Sequence, residues 1–146
     1  MIKIQFPEKQ PSIRTDRGIE SIFCIVRKRW VLITPEEWVR QNFLLYLAEV
    51  LHYPVSLIAV EKKIAIGDIS KRFDIVVYTN LGKPCMLVEC KEMNVQLTEN
   101  VLQQILRYNI NLQAKFLVVT NGSYCAAFKN DGGQLKPIEH LPGFIE

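Results

Sequence analysis

Several features common in catalytic and membrane domains are scarce in this chain or missing from it. There are 2 histidines in 146 residues, and the 4 cysteines, Cys24, Cys85, Cys90 and Cys125, include no Cys-x2-Cys pair, so the spacing of a zinc site is absent. Each cysteine lies in an apolar, strand-like run and reads as a reduced core residue. No segment reaches the roughly 18 apolar residues of a membrane span, and no basic stretch leads into a long apolar run as in a signal peptide. A cytoplasmic protein without membrane contact is the expectation. The only Gly-Lys, Gly82-Lys83, is followed by Pro84, so there is no phosphate-binding Gly-x4-Gly-Lys-Ser/Thr loop. Repeats and low-complexity tracts are absent as well.

What is present is an ordinary globular composition. Apolar residues make up 49% and charged residues 23%, which excludes disorder as the main state, and the length suits one domain with a sizeable core. We expect a single unit over residues 1–146, with a core of about 34–129 and a strand-rich extension before it. The net charge of +3 favours a polyanionic partner only weakly.

The most informative stretch runs from Asp74 to Lys91. Two short apolar runs, Ile75 to Tyr78 and Cys85 to Val88, flank a Thr-Asn-Leu-Gly-Lys-Pro breaker, which predicts a β-hairpin. A hairpin centred between Leu81 and Gly82 pairs Tyr78 with Cys85 and Val76 with Leu87, and sets Asp74 opposite Glu89. Strand alternation puts Asp74 on the face of Val76 and Tyr78, and Glu89 and Lys91 on the face of Cys85 and Leu87. It also puts Phe73, Ile75 and Val77 on one side and Val76 on the other, with both sides apolar. Such strands are central in a sheet covered on two faces, an α/β/α layering.

Opposed carboxylates destabilise a sheet unless a cation compensates them. With oxygen ligands and no histidine nearby, Mg²⁺ or Mn²⁺ suits this pair better than zinc or copper. Lys91 is then placed to orient an attacking water or to balance charge on a phosphate oxygen. On this reading Asp74→Asn relieves a repulsion, so the metal-free protein is expected to melt no lower. The plain alternative is a solvated Glu89–Lys91 surface pair.

Elsewhere, Ile2 to Phe6 reads as a first strand. Ile22 to Val26 and Trp30 to Ile33 form a strand pair around the basic turn Arg27-Lys28-Arg29, which reads as a solvated turn in preference to a phosphate contact. Thr34-Pro35-Glu36-Glu37 opens a helix with an N-cap, a proline at its first position and a capping box through Glu37, running to about His52. Val55 to Val60 and Ile64 to Ile66 are strand material around Glu61-Lys62-Lys63, and Gly67-Asp68 is a turn. Thr98 caps a second helix to about Asn111, with Val101, Leu102, Ile105 and Leu106 on its core stripe. Gln104, Arg107, Tyr108 and Asn111 are neighbours on its other face. A hairpin over Lys115 to Phe128, turning at Asn121-Gly122, closes the sheet. Asp131-Gly132-Gly133 ends the regular part, and an irregular tail follows.

The Asp74-x14-Glu89-x-Lys91 spacing resembles the PD-(D/E)xK nuclease motif, with Phe73 where a proline is usual. Arg72 to Tyr78, Val88 to Lys91, Gln104 to Asn109 and Val119 to Gly122 together resemble the N-terminal nuclease domain of type I restriction enzyme motor subunits, over roughly residues 34–129. The resemblance implies a restriction-endonuclease-like α/β/α sandwich with a central mixed sheet. It implies Mg²⁺- or Mn²⁺-dependent hydrolysis of phosphodiester bonds in nucleic acid, with DNA as the first expectation. Asp74 and Glu89 would be metal ligands, Lys91 would stand beside the water, and the carbonyl of Cys90 would complete the inner shell. Glu37, or Glu49 as its rival, would be the acidic residue that the first helix brings to the site. Gln104-x3-Tyr108 would support catalysis and the contact with DNA, and a protein partner would supply the motor or specificity. The alternative is a non-catalytic nucleic-acid-binding or protein-interaction module on the same fold.

Overall fold

A threonine before a proline starts the first helix. The computed structural model describes residues 1–145. In it α1 spans Pro35–Leu45, and the Thr34 hydroxyl accepts from the amide of Glu37 at 3.0 Å, satisfying one of the donors left open at a helix start. The carboxylate of Glu37 does not return to close the box, because two arginines and a glutamine take it, as described below. The helix ends as a single π-helical turn, Tyr46–Val50, and His52 reverses the chain at φ +63°.

Twelve elements follow one another in the chain. Strands β1 (Ile2–Lys3), β2 (Ile13–Asp16), β3 (Ile19–Cys24) and β4 (Arg29–Leu32) precede α1. After it come β5 (Ile58–Ile66), β6 (Ile69–Tyr78), β7 (Pro84–Cys90), α2 (Glu99–Tyr108), β8 (Phe116–Thr120), β9 (Tyr124–Asp131) and β10 (Gln134–Ile138). The main sheet has 7 strands in the order β1-β9-β8-β7-β6-β5, with β10 also on β9, while β2-β3-β4 form a second sheet. The β7–β8 pair is parallel and the other pairs are antiparallel, so the sheet is mixed.

Two apolar layers cover the main sheet. Val39, Phe43, Leu44 and Leu47 from α1 and its extension pack with Ile75, Val77, Met86, Val88 and Val118 on one face. On the other, Leu97 and Ile105 pack with Phe73, Val76, Leu87, Leu117 and Val119. This is the expected α/β/α layering. Among the described residues no helix is long and apolar enough to cross a membrane.

The Gly67-Asp68 turn, the 74–91 hairpin and the Asn121-Gly122 turn form as expected. Four details differ. First, β1 stops at Lys3, and β2 and β10 appear where no strand is expected, so the part after Gly133 remains regular to Ile138. Second, β5 runs unbroken through Glu61-Lys62-Lys63 after a 3₁₀ turn at Val55–Leu57.

Third, the β5–β6 ladder passes from Val60↔Ile75 to Lys62↔Phe73, and Glu61, opposite Asp74, takes φ +52°. Alternation breaks there, which moves Phe73 to the α2 face with Val76 and frees Asp74 to turn toward α1. Fourth, the β6–β7 register shifts between Val77 and Tyr78, so Val76 meets Leu87 as expected but Tyr78 meets Pro84. The residue in excess is Cys85, which packs on the α1-side layer and not in line with Leu87.

Candidate active site

The site is built at the carboxyl end of β7, beside its parallel neighbour β8. Ligand sites in α/β sheets favour such strand ends, because no further pairing covers them. The last β6–β7 ladder pair is Ile75↔Val88, and one step further the same count places Asp74 across from Glu89 without a ladder pair. The Cys90 amide donates to Asp74 Oδ2 at 2.7 Å. Asp74 therefore reaches the main chain of β7 at the residue after Glu89, but its side chain turns toward α1 while that of Glu89 lies on the α2 side, so the two carboxylates do not share the face that strand parity gives them.

Each carboxylate also meets a protein cation, and from opposite sides of the sheet. Arg40 of α1 donates through Nη2 to Asp74 Oδ1 at 2.9 Å. The same guanidinium meets Glu37 at 3.1 Å and Glu61 at 3.5 Å, and Arg27 adds a bond to Glu37 at 3.0 Å. Gln41 donates to the second oxygen of Glu37 at 3.1 Å. Burial pulls the Arg40 pKa down, but the charges of Glu37 and Asp74 outweigh it and hold the guanidinium above its ordinary value. Arg27 thus turns inward from the basic turn to this cluster.

Glu89 is buried and is paired with Lys71, whose ammonium also lies 5.0 Å from the centre of the Phe73 ring. Lys71, Glu89 and Lys91 line a cavity of about 360 Å³ with Val101, Gln104, Ile105 and Tyr108 of α2. Gln104 and Tyr108, one helical turn apart, both face this cavity, and Arg107 joins them at an adjoining cleft. Asp74 and Glu37 do not line it. The structure therefore gathers Glu89, Lys91, Gln104 and Tyr108 around one cavity, leaves Asp74 on the α1 side beside Arg40, and makes Glu37 the anchor of Arg40. Glu49 is exposed and pairs with Lys9, away from this cluster.

The turn after β8 fixes how α2 approaches. Asn121 donates to the carbonyl of Val95 at 2.9 Å and accepts from the amides of Ser123 and Tyr124 at 3.0 Å each. It ties the segment leading into α2 to the end of β8.

Arg40, Glu61 and Lys71 were not expected as members of this cluster. A signal existed for Arg40, which stands three residues after Glu37 on one helix face. Lys71 lies two residues before Phe73, so its face followed that of Phe73 across the break at Asp74. Glu61 gave no signal beyond interrupting an apolar run.

The donor set is chemically suited to a hard divalent ion: two carboxylates and the nearby Cys90 carbonyl, all oxygen. Among the described residues no three His, Cys, Asp or Glu side chains surround a common point. The four cysteines are free, and burial first, then the Asp74 charge, push the Cys90 thiol well above its usual range, so it stays protonated.

No curated protein matches the chain. The family model described as type I restriction enzyme R protein N terminus (HSDR_N) matches residues 35–142, which takes in both helices, the whole Asp74 to Lys91 hairpin and the Asn121 turn. The chain belongs to the family of type I restriction enzyme R protein N-terminal domains.

Proposed function

We propose that this domain hydrolyses phosphodiester bonds in DNA with the help of a divalent metal ion. The observation that carries the reading is that Asp74 is held to the β7 amide directly after Glu89, while Glu89 itself lines a cavity with Lys91, Gln104 and Tyr108. Asp74, Glu89 and the Cys90 carbonyl would hold Mg²⁺ or Mn²⁺. Such an ion lowers the pKa of an attacking water and neutralises charge on the phosphoryl oxygens.

The chain's own residues account for the rest. Arg40 and the Cys90 amide fix the orientation of Asp74, so its carboxylate needs little reorganisation. Lys91 presents an ammonium in the cavity and makes no ion pair among the described residues, which leaves it available to orient water or a phosphate oxygen. The Gln104 amide and Tyr108 hydroxyl supply hydrogen bonds that seat the sugar–phosphate chain along α2. The family resemblance implies that motor or specificity functions come from a protein partner.

A second reading, a binding module without catalysis, is favoured by one observation: Arg40 and Lys71 already neutralise the two carboxylates. A cleavage assay separates the two. Plasmid and single-stranded DNA are incubated with Mg²⁺ or Mn²⁺ and either the wild-type protein or Lys91→Ala. We expect metal-dependent cleavage that falls by about 100-fold in the variant, the scale of losing one positioned donor to a developing charge. No cleavage by the wild-type protein with either ion, together with unchanged DNA binding in the variant, would support the module.

A further inference from the structure

We infer that Lys71 is an exchangeable counter-ion: it neutralises Glu89 in the metal-free protein and passes to a phosphate oxygen of the nucleic acid once Glu89 ligates an ion. This rests on the nuclease reading above and assigns Lys71 a role as a phosphate-binding residue coupled to the metal.

The two cations at the site are held very differently. The side chain of Arg40 is 8% exposed and meets three carboxylates, Glu37, Glu61 and Asp74, so its position is overdetermined. The side chain of Lys71 is 28% exposed and, among the described residues, its ion pair is with Glu89 alone. Its stem comes from the part of β6 that pairs with β5 but lies beyond the last β6–β7 pair, so the edge toward the cavity is open. A lysine ammonium on a flexible stem can swing while the stem stays against Phe73, whereas the planar guanidinium fork of Arg40 is locked.

Charge decides where Lys71 goes. A glutamate oxygen that ligates a divalent ion can no longer serve as the main partner of an ammonium. Two like charges a few Å apart in a half-buried site repel one another strongly. The same 360 Å³ cavity is where Lys91, Gln104 and Tyr108 would receive a phosphate, which is then the nearest anion available. Metal and nucleic acid should consequently bind cooperatively, each removing a cost of the other.

The test uses the wild-type chain, Lys71→Met and Lys91→Met, with Lys71→Gln repeating each Lys71 measurement in case methionine disturbs Phe73. Mn²⁺ affinity is read from the paramagnetic resonance signal of the free ion. Affinity for a labelled DNA duplex is read by fluorescence anisotropy in Ca²⁺ and in EDTA, over a series of salt concentrations. We expect Lys71→Met to bind Mn²⁺ about fivefold more tightly than wild type, the worth of one partly buried ion pair, and Lys91→Met to gain clearly less. In Ca²⁺ the Lys71 variants should bind the duplex more weakly, with a salt slope smaller by about one, while in EDTA they should match wild type.

Equal Mn²⁺ affinity in wild type and Lys71→Met would overturn the exchange. So would an equal gain in both lysine variants, which is a through-space charge effect, or duplex affinity in Ca²⁺ that is absent or unchanged. Failure of all the proteins to bind Mn²⁺ would overturn the nuclease reading and this inference together.

Discussion

Asp74 accepts a hydrogen bond on each carboxylate oxygen, one from Arg40 and one from the Cys90 amide. Strand parity alone pictured Asp74 and Glu89 repelling one another across a hairpin, and so an Asp74→Asn protein that melts no lower without metal. Ion pairing reverses the sign. An asparagine keeps one acceptor but turns an N–H₂ toward a donor and leaves Arg40 with a charge less to meet. We expect Asp74→Asn to lose about 2 kcal/mol and to melt roughly 5 °C lower in EDTA, measured by circular dichroism. An unchanged melting temperature would restore the repulsion picture. Residues in the motif were legible because their types and spacing stand out from an apolar strand. The pairing of Arg40 with Asp74 and of Lys71 with Glu89 was not, because contacts across 34 and 18 residues leave no period in the chain.

At the scale of elements, Thr34 and Thr98 were readable as caps, since capping is a local contact of a hydroxyl with an amide three residues on. Strands were readable where they are buried on both faces. The missed ones, β2 and β10, are mostly exposed and show little apolar alternation, and β10 contains Pro137, which suits an edge strand. The shift between Val77 and Tyr78 has no sequence signal, yet it moves Cys85 to the other face. One turn has a consequence for the site: Asn121 holds both its own turn and the Val95 carbonyl ahead of α2. Asn121→Ala should cost about 2 kcal/mol, because it leaves three backbone groups without a partner near a buried position. Hydrogen exchange should then accelerate over 95–102 and leave 36–45 unchanged. Equal acceleration in both segments would mean global destabilisation and not a loosened α2.

For the molecule as a whole, the layering of a mixed sheet between α1 and α2 was legible, because long apolar runs without alternation mark strands covered on both sides. The small sheet β2-β3-β4 was legible only as its β3–β4 half. Buried ionisable groups predict the alkaline limit of the fold. Burial raises the Cys125 thiol from 9.0 to about 12 and the Tyr53 hydroxyl from 10.0 to about 12. These groups ionise in the unfolded chain before they do in the folded one, so the unfolded state holds fewer protons and stability falls as pH rises. Urea midpoints should thus be insensitive to these groups below pH 9 and decline from there toward about pH 12, with Cys125→Ser showing the shallower decline. A decline equally steep in Cys125→Ser would remove that thiol from the explanation. The claim that Asp74 and Glu89 share an ion is tested most directly by anomalous diffraction from a crystal soaked in Mn²⁺. The expected result is one peak about 2.2 Å from an oxygen of each carboxylate and from the Cys90 carbonyl, with Lys71 displaced from Glu89. A map with no peak there, or with a peak on one carboxylate while Asp74 stays on Arg40 and Glu89 on Lys71, would contradict it.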